Sequence, residues 1–279
     1  MLLSPHSDDA AMSAFGILGR GLLPTPVTLL TVFTLTNYFV RYGRARPSPR
    51  VLGNLIPRPI EVLRSIRENA GRFGTNPWGI ARRLTDMEEP YKITRIRLLE
   101  DMSFSKRMKM KFRYLNLPDS QARQGRPIMD PAWRLSNEAR LLGKVQSSVE
   151  NLILRTGVQA IAAPWPYGER QHVDHRIVSE VAAHIAESTG IRLYYLDDQP
   201  YSRRPLAAAA DIMGRYYTPQ LINLKEQEIK SKFRAMALYW SQMVPEYWSA
   251  VVRPPPGFPE QGRSETLWRP SPDSGVGSD

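Results

Sequence analysis

Two short runs of this chain carry residue types that can hold a metal and move a proton. They are Pro5-His6-Ser7-Asp8-Asp9 near its start and His172-Val173-Asp174-His175 far downstream. Only 4 histidines occur in the sequence, and three of them, His6, His172 and His175, lie in these runs beside carboxylates. Imidazole and carboxylate are ligands that zinc takes, and a catalytic zinc keeps three protein ligands plus an open position for water. His6, Asp9 and His175 supply such a set for one divalent ion. Asp8 and His172 then stand beside the metal, where one can accept a proton from the bound water and the other can face a developing oxyanion. Either run alone is a short match that chance or a helix cap can produce. Together, each between an expected strand and an expected helix, they argue for a site.

Residues so far apart in sequence need a frame that brings them together. Leu2 to Ser4 reads as a strand, Asp9 to Gly21 as a helix whose first turn carries carboxylates favoured by its dipole, and Val27 to Leu35 as a second strand. From Thr36 to about Trp78 the chain is rich in Arg, Pro, Gly and Asn, with a helical stretch at Ile60 to Asn69, and reads as an excursion beside the site mouth. Ile93 to Arg113 is expected to be helical, followed by a turn at Leu117-Pro118-Asp119. Ser136 is expected to cap a long helix with Leu141, Val145, Val149, Leu152 and Ile153 on one face. Val158 to Ala163 is a short apolar strand that runs into the loop delivering His172. A helix with Ile177, Val181 and Ile185 buried leads through Gly190 to a strand at Arg192 to Leu196. Ile222 to Met243 reads as a charged amphipathic helix. This alternation indicates an α/β fold, a Rossmann-like and mostly parallel sheet with helices on both faces, in one domain. Both runs then follow the carboxyl ends of strands, where open α/β sheets bind ligands. The expected domain covers 1–252, and 253–279 is expected to be a Pro/Gly/Ser-rich, partly disordered tail.

The 279 residues can bury a substantial core, and 42% hydrophobic with 23% charged residues is ordinary for a globular protein. With 0 cysteines, neither a disulfide framework nor a thiolate metal site is available. Val27 to Leu35 is too short to span a bilayer, and Met1-Leu2-Leu3 lacks the features of a signal peptide, so a cytoplasmic location is expected. Only four residues precede Pro5, and a few upstream residues are expected to be missing from this start. The net charge of +11 favours acidic partners, and it is clustered at Arg41, Arg44, Arg46 and Arg50 and again at Lys106, Arg107, Lys109, Lys111 and Arg113. A solvated loop and a solvated helix face explain both clusters without a ligand. No recognition motif supports nucleic acid.

With both runs placed, the sequence resembles the PIG-L/LmbE-like family of zinc-dependent N-acetyl hydrolases, whose motifs are P-H-x-D-D and H-x-D-H. The resemblance implies a Rossmann-like fold and removal of an acyl group from an amino sugar. It makes His6, Asp9 and His175 the zinc ligands, Asp8 the general base and His172 the oxyanion stabiliser or acid. Asp174 is expected to orient one of the histidines beside it from outside the ligand set. Arg97-Leu98-Leu99-Glu100-Asp101 looks like the family's Arg-x-x-Glu-Asp segment, which makes Arg97 a candidate substrate contact; an Arg and Glu pair at helical spacing explains it equally. Leu115 to Asp119 and Tyr195 to Tyr201 are similar to two further family segments. Ala10 stands where many relatives have Glu, and Arg170 where some have Tyr, so Arg170 itself is a candidate oxyanion donor.

The expected function is a zinc-dependent hydrolase that takes the acyl group from the amide nitrogen of an N-acylated sugar, for which a diphosphate-linked sugar is one candidate. Two other classes compete. One is a catalytically silent carbohydrate- or nucleotide-binding relative, and the other a nucleic-acid or membrane-surface binder built on the basic clusters. The first is disfavoured by the intact set of site residues, and the second leaves both histidine runs unexplained.

Overall fold

The computed structural model describes residues 1–36, 89–124, 135–166, 172–199, 216–239, 242 and 264–271. The Arg41 to Arg50 cluster, the Ile60 to Asn69 stretch and Arg170 lie outside the described residues.

The chain begins with β1 (Leu2–Ser4), the short helices α1 (Asp9–Ser13) and α2 (Phe15–Gly19), and β2 (Thr28–Leu35). It continues with α3 (Glu89–Arg107), β3 (Lys111–Pro118), α4 (Ser120–Gln124), a 3-10 turn at Leu135–Glu138 and α5 (Ala139–Thr156). Then come β4 (Ala160–Pro164), α6 (Val173–Thr189), β5 (Arg192–Leu196), β6 (Tyr217–Asn223), α7 (Glu226–Met236), a 3-10 turn at Ala237–Tyr239 and β7 (Ser264–Pro270). The strands form one sheet in the order β3-β2-β1-β4-β5-β7-β6. The first five run parallel, whereas β7 lies antiparallel to both β5 and β6.

Period-two alternation sends neighbouring strand residues to opposite faces. Leu3, Leu30, Ile161, Ala163 and Leu193 join the core of α5 and α6 on one side. Leu2, Leu29, Ala160, Ala162 and Tyr194 join α1, α2, α7 and Phe104 of α3 on the other. Burial on both faces explains why β4, Ala160–Pro164, is apolar throughout. Gly190 ends α6 at φ 71°, a left-handed conformation that suits glycine.

Four expectations are corrected. Ile93 to Arg113 is not one helix: α3 stops at Arg107 and Lys111–Pro118 is the edge strand β3, paired in parallel with β2. Its alternation of charged and apolar residues is the period-two signal, which the run of basic residues masks. Ile222 to Met243 is divided between the end of β6 and the shorter α7. Ser136 lies within the 3-10 turn rather than capping α5, whose N-cap position is Glu138. Ser264–Pro270, inside the Pro/Gly/Ser-rich segment, is a strand held between β5 and β6, and Ser264 to Trp268 are buried.

Candidate metal centre and active site

Strand order reverses at β1, since β2 and β3 extend to one side of it and β4 and β5 to the other. Open α/β sheets bind ligands at this switch point, beyond the carboxyl ends of the strands. The loop after β1 carries His6 and Asp8 and leads into Asp9, the first residue of α1; His172, the N-cap of α6, and His175 in its first turn arrive on the β4 side. All five side chains, with Asp174, are buried.

Three atoms converge. His6 Nδ1 lies 3.1 Å from His175 Nε2, and Asp9 Oδ2 lies 3.4 Å from His6 Nδ1 and 3.3 Å from His175 Nε2. Each is aimed by a partner behind it. The His6 backbone amide donates to Asp9 Oδ2 at 2.7 Å. His6 Nε2 donates to Asp174 Oδ2 at 3.0 Å, and His175 Nδ1 donates to the Asp198 carboxylate at 2.7 and 2.9 Å. A carboxylate only accepts, so these contacts leave the facing nitrogens, His6 Nδ1 and His175 Nε2, with the lone pairs. His6, His172 and His175 could also hold a metal ion, their nitrogens lying within 4.8 Å of one another. The Asp9 triangle is tighter, and His172 is otherwise engaged. Its Nδ1 accepts from the Asp174 amide at 3.2 Å, so its proton is on Nε2, which lies 3.2 Å from Ser120 Oγ.

The electrostatics favour positive charge among these atoms. Burial opposes an imidazolium at His6, but the carboxylates of Asp174 and Asp9 outweigh it and raise its pKa to about 10. Burial also opposes the Asp9 carboxylate, yet His175 and His6 bring its pKa down to about 2. A proton on His6 therefore does, in this arrangement, what a cation among three lone pairs would do. His172 is pushed down to about 3 by burial and by the charge on His6, which agrees with its neutral tautomer. Asp8 moves the other way: burial and the adjacent Asp9 charge raise its pKa.

Sequence reasoning places Asp174 with the histidines beside it, but its carboxylate serves His6 from across the site. It is saturated by His6, the Ser120 amide at 2.8 Å and Arg123 at 2.8 Å, and the His6 bond with the charges of His6, His172 and Arg123 holds its pKa below the usual carboxylate range against burial. Ser120, Arg123 and Asp198 were not singled out as site residues. Asp198 stands within the Tyr195 to Tyr201 segment, and that family-like run was the available signal for it. Tyr195 itself belongs to the core, edge-on to Trp165 at 5.7 Å. Arg97 is buried on α3, bonded through Nη2 to Gln242 and with Nη1 3.8 Å from Asp119 Oδ2. Its Nε and Nη1 make no hydrogen bond, and its charge reaches Asp8, where it offsets part of the rise in pKa.

No protein-family model and no curated protein matches the sequence. Solved structures do. A deacetylase bound to teicoplanin, from the teicoplanin biosynthesis pathway, superposes with TM-score 0.60 at 20% identity, over 98% of this chain and 98% of that one. The deacetylase of the A40926 pseudoaglycone gives TM-score 0.55 at 19% identity, over 100% and 97%. The N,N'-diacetylchitobiose deacetylase of Pyrococcus horikoshii gives 0.53 at 12% identity, over 97% and 82%. The chain shares the fold of these solved structures. A single mixed, mostly parallel α/β sheet is thus common to this chain and those deacetylases. Among the described residues no helix is long and apolar enough to cross a membrane.

Proposed function

We propose that this protein is a zinc-dependent N-deacetylase of an N-acetylated sugar or sugar-containing metabolite, with His6, Asp9 and His175 as ligands, Asp8 as general base and His172 as oxyanion donor. The observation that carries this reading is the triangle of His6 Nδ1, Asp9 Oδ2 and His175 Nε2, with edges of 3.1, 3.4 and 3.3 Å. Tetrahedral zinc with ligands at about 2.0–2.1 Å separates them by about 3.3 Å, so the donor set fits the ion in type and spacing. N,N'-diacetylchitobiose, an N-acetylated amino sugar, is named as the substrate of one similar deacetylase and supports this substrate class.

Zinc bound there would polarise the acyl oxygen and bring the attacking water towards neutral pKa. Asp8 accepts the proton of that water as it attacks. The buried site that raises the Asp8 pKa makes its carboxylate a stronger base for that proton, which Asp8 then holds and passes to the departing nitrogen, whose protonation the amide bond needs in order to break. His172 presents its Nε2 proton to the developing oxyanion as a neutral imidazole, because the Asp174 amide occupies Nδ1. A pKa near 3 makes His172 unsuited to carry a second proton to the leaving group, which favours Asp8 as the acid. Asp174 and Asp198 fix the tautomers of His6 and His175. Arg97, whose charge acts on Asp8, is the described candidate for binding the substrate or steadying Asp8. Arg170 remains proposed as an auxiliary contact on the resemblance alone.

Acetate release from a panel of N-acetylated sugars, sugar nucleotides and glycosides by the zinc-loaded protein tests the function. Release from none of them, with zinc bound, would count against it. Purified protein is expected to hold about one zinc per chain, and His175→Ala to lose most of it on metal analysis; full occupancy in that variant would exclude the ligand set.

A further expectation concerns pH. The folded pKa of His6, about 10, stands above the value of about 6.5 expected unfolded. In the metal-free chain this group thus contributes stability in full below about pH 6.5 and loses it as pH rises through about 10. Zinc takes the place of that proton, so the rise in melting temperature on adding zinc should grow between about pH 6 and about pH 9. A zinc effect that shrinks over this range would remove His6 from the ligands.

A further inference from the structure

Lys232 on α7 and Glu265 on β7 form an ion pair, Nζ to Oε1 2.9 Å, with no exposure of either side chain. Burying two charges costs several kcal/mol each, and an apolar pair of the same volume is often no less stable, so stability alone does not account for this pair. Its other contacts do. Glu265 Oε2 accepts the backbone amides of Gly16 and Ile17 at 2.7 and 3.0 Å, first-turn donors of α2 that have no partner inside the helix. A side chain at position 16 would have to displace the Leu224 side chain and press on the carboxylate, since a Cβ there would lie 2.3 Å from Leu224 Cδ2 and 3.3 Å from Glu265 Oε2. Lys232 Nζ also donates to Gln199 Oε1 at 3.3 Å.

Gln199 is the residue after Asp198. Its amide nitrogen Nε2 donates to the Ser264 carbonyl at 2.9 Å and its backbone N–H to Ser13 Oγ at 3.1 Å. On the other side of Asp198, the Asp197 backbone N–H donates to the Thr266 carbonyl at 3.2 Å, and Thr266 Oγ1 donates to Asp197 Oδ2 at 3.2 Å. Asp198 is thus clamped on both sides to β7, α1 and α7, with its carboxylate on His175 Nδ1.

We propose that the Lys232–Glu265 pair, acting through Gln199, is a positioning device for His175: it fixes the loop that bears Asp198 and so sets metal affinity at a site it does not touch. The proposal rests on the metal reading above. Carboxylates behind a ligating histidine change metal affinity by about 10- to 100-fold when altered, and whatever immobilises such a carboxylate inherits part of that effect.

The test compares the parent chain with Asp198→Asn, Gln199→Met and the double variant Lys232→Met/Glu265→Gln, which removes both charges and leaves neither buried alone. Zinc affinity is measured by competition with a chromophoric chelator, metal-free stability by thermal melting, and the His175 Nδ1 proton by NMR of histidine-labelled protein. Asp198→Asn is expected to bind zinc about 10- to 100-fold more weakly and the other two variants to lose part of that, about 10-fold, with metal-free melting close to the parent and the Nδ1 proton resonance shifted or lost to exchange. Should the double variant fail to fold, Gln199→Met carries the test. Unchanged affinity and an unchanged resonance in Gln199→Met, where Asp198→Asn weakens binding, would overturn the positioning role. So would a loss of affinity that only tracks a lower melting temperature while the resonance is intact. If Asp198→Asn binds as the parent does, or the parent binds no zinc, the metal reading itself falls and this proposal with it.

Discussion

Replacing Asp8 by Asn is expected to leave zinc bound while reducing turnover by roughly 10²-fold or more, the usual scale for a general base. The adjacent substitution, Asp9→Ala, is expected to lose metal affinity first. The two carboxylates differ in what surrounds them. Asp9 Oδ2 faces His6 and His175 at 3.4 and 3.3 Å, and these groups bring its pKa to about 2, as a ligand that stays ionised requires. Asp8 is buried without a side-chain capping bond to α1, and burial together with Asp9 moves its pKa upward, as a group that must hold a proton in mid-reaction requires. Its backbone carbonyl accepts from Ala11 and Met12 at 3.1 and 3.2 Å whatever the side chain is, so Asn should not disturb the start of α1. The measurement is metal content beside kcat on the best substrate. An Asp8→Asn variant nearly as active as the parent would require another base, and one that had lost its zinc would exchange the proposed roles of Asp8 and Asp9.

The parts of the site that could be read from sequence are those whose chemistry is local. His6, Asp8 and Asp9 sit in one short run, and His172, Asp174 and His175 in another, so residue types and spacing sufficed to suggest a metal centre. The turn from an apolar strand to a helix was also legible around both runs, and with it their place beyond the carboxyl ends of parallel strands, though not the strand order that makes β1 the switch point. What escaped was held by long-range contact. Asp198 acts on His175 from the loop after β5, signalled only by the family-like run around it, and Arg123 and Ser120 act on Asp174 from α4, where nothing in their immediate neighbours says so. Edge strands were harder than central ones. β3 carries Lys111 and Arg113 on a half-exposed ribbon, where charge looks like a helix face, and β6 contains Pro219, tolerated at the sheet edge because a missing N–H need not break a ladder there. β7 was hidden by its setting, a seven-residue strand inside a segment whose average composition is that of a linker.

Deleting residues 253–279 is accordingly expected to abolish cooperative folding rather than trim a dispensable tail. β7 pairs with β6 from Tyr217 to Asn223 and with the end of β5, so its loss opens the sheet on both sides of it. Leu267 and Trp268 are wholly buried, and Trp268 stacks on Trp165 with ring centroids 4.1 Å apart. Removing a buried Leu costs about 2–5 kcal/mol and a buried Trp about 3–5. Their sum, about 5–10 kcal/mol, is of the order of the total stability of a domain, about 5–15 kcal/mol. Losing Glu265 adds to this, because Lys232 would remain buried without its carboxylate and the Gly16 and Ile17 amides without an acceptor. Thermal unfolding followed by circular dichroism decides the matter, with Trp268→Ala as a milder probe expected to lose about 3–5 kcal/mol. A chain ending at residue 252 that melts cooperatively at the parent's temperature would show that β7 is not part of the folding unit, and the strut from Glu265 to His175 could not then depend on it.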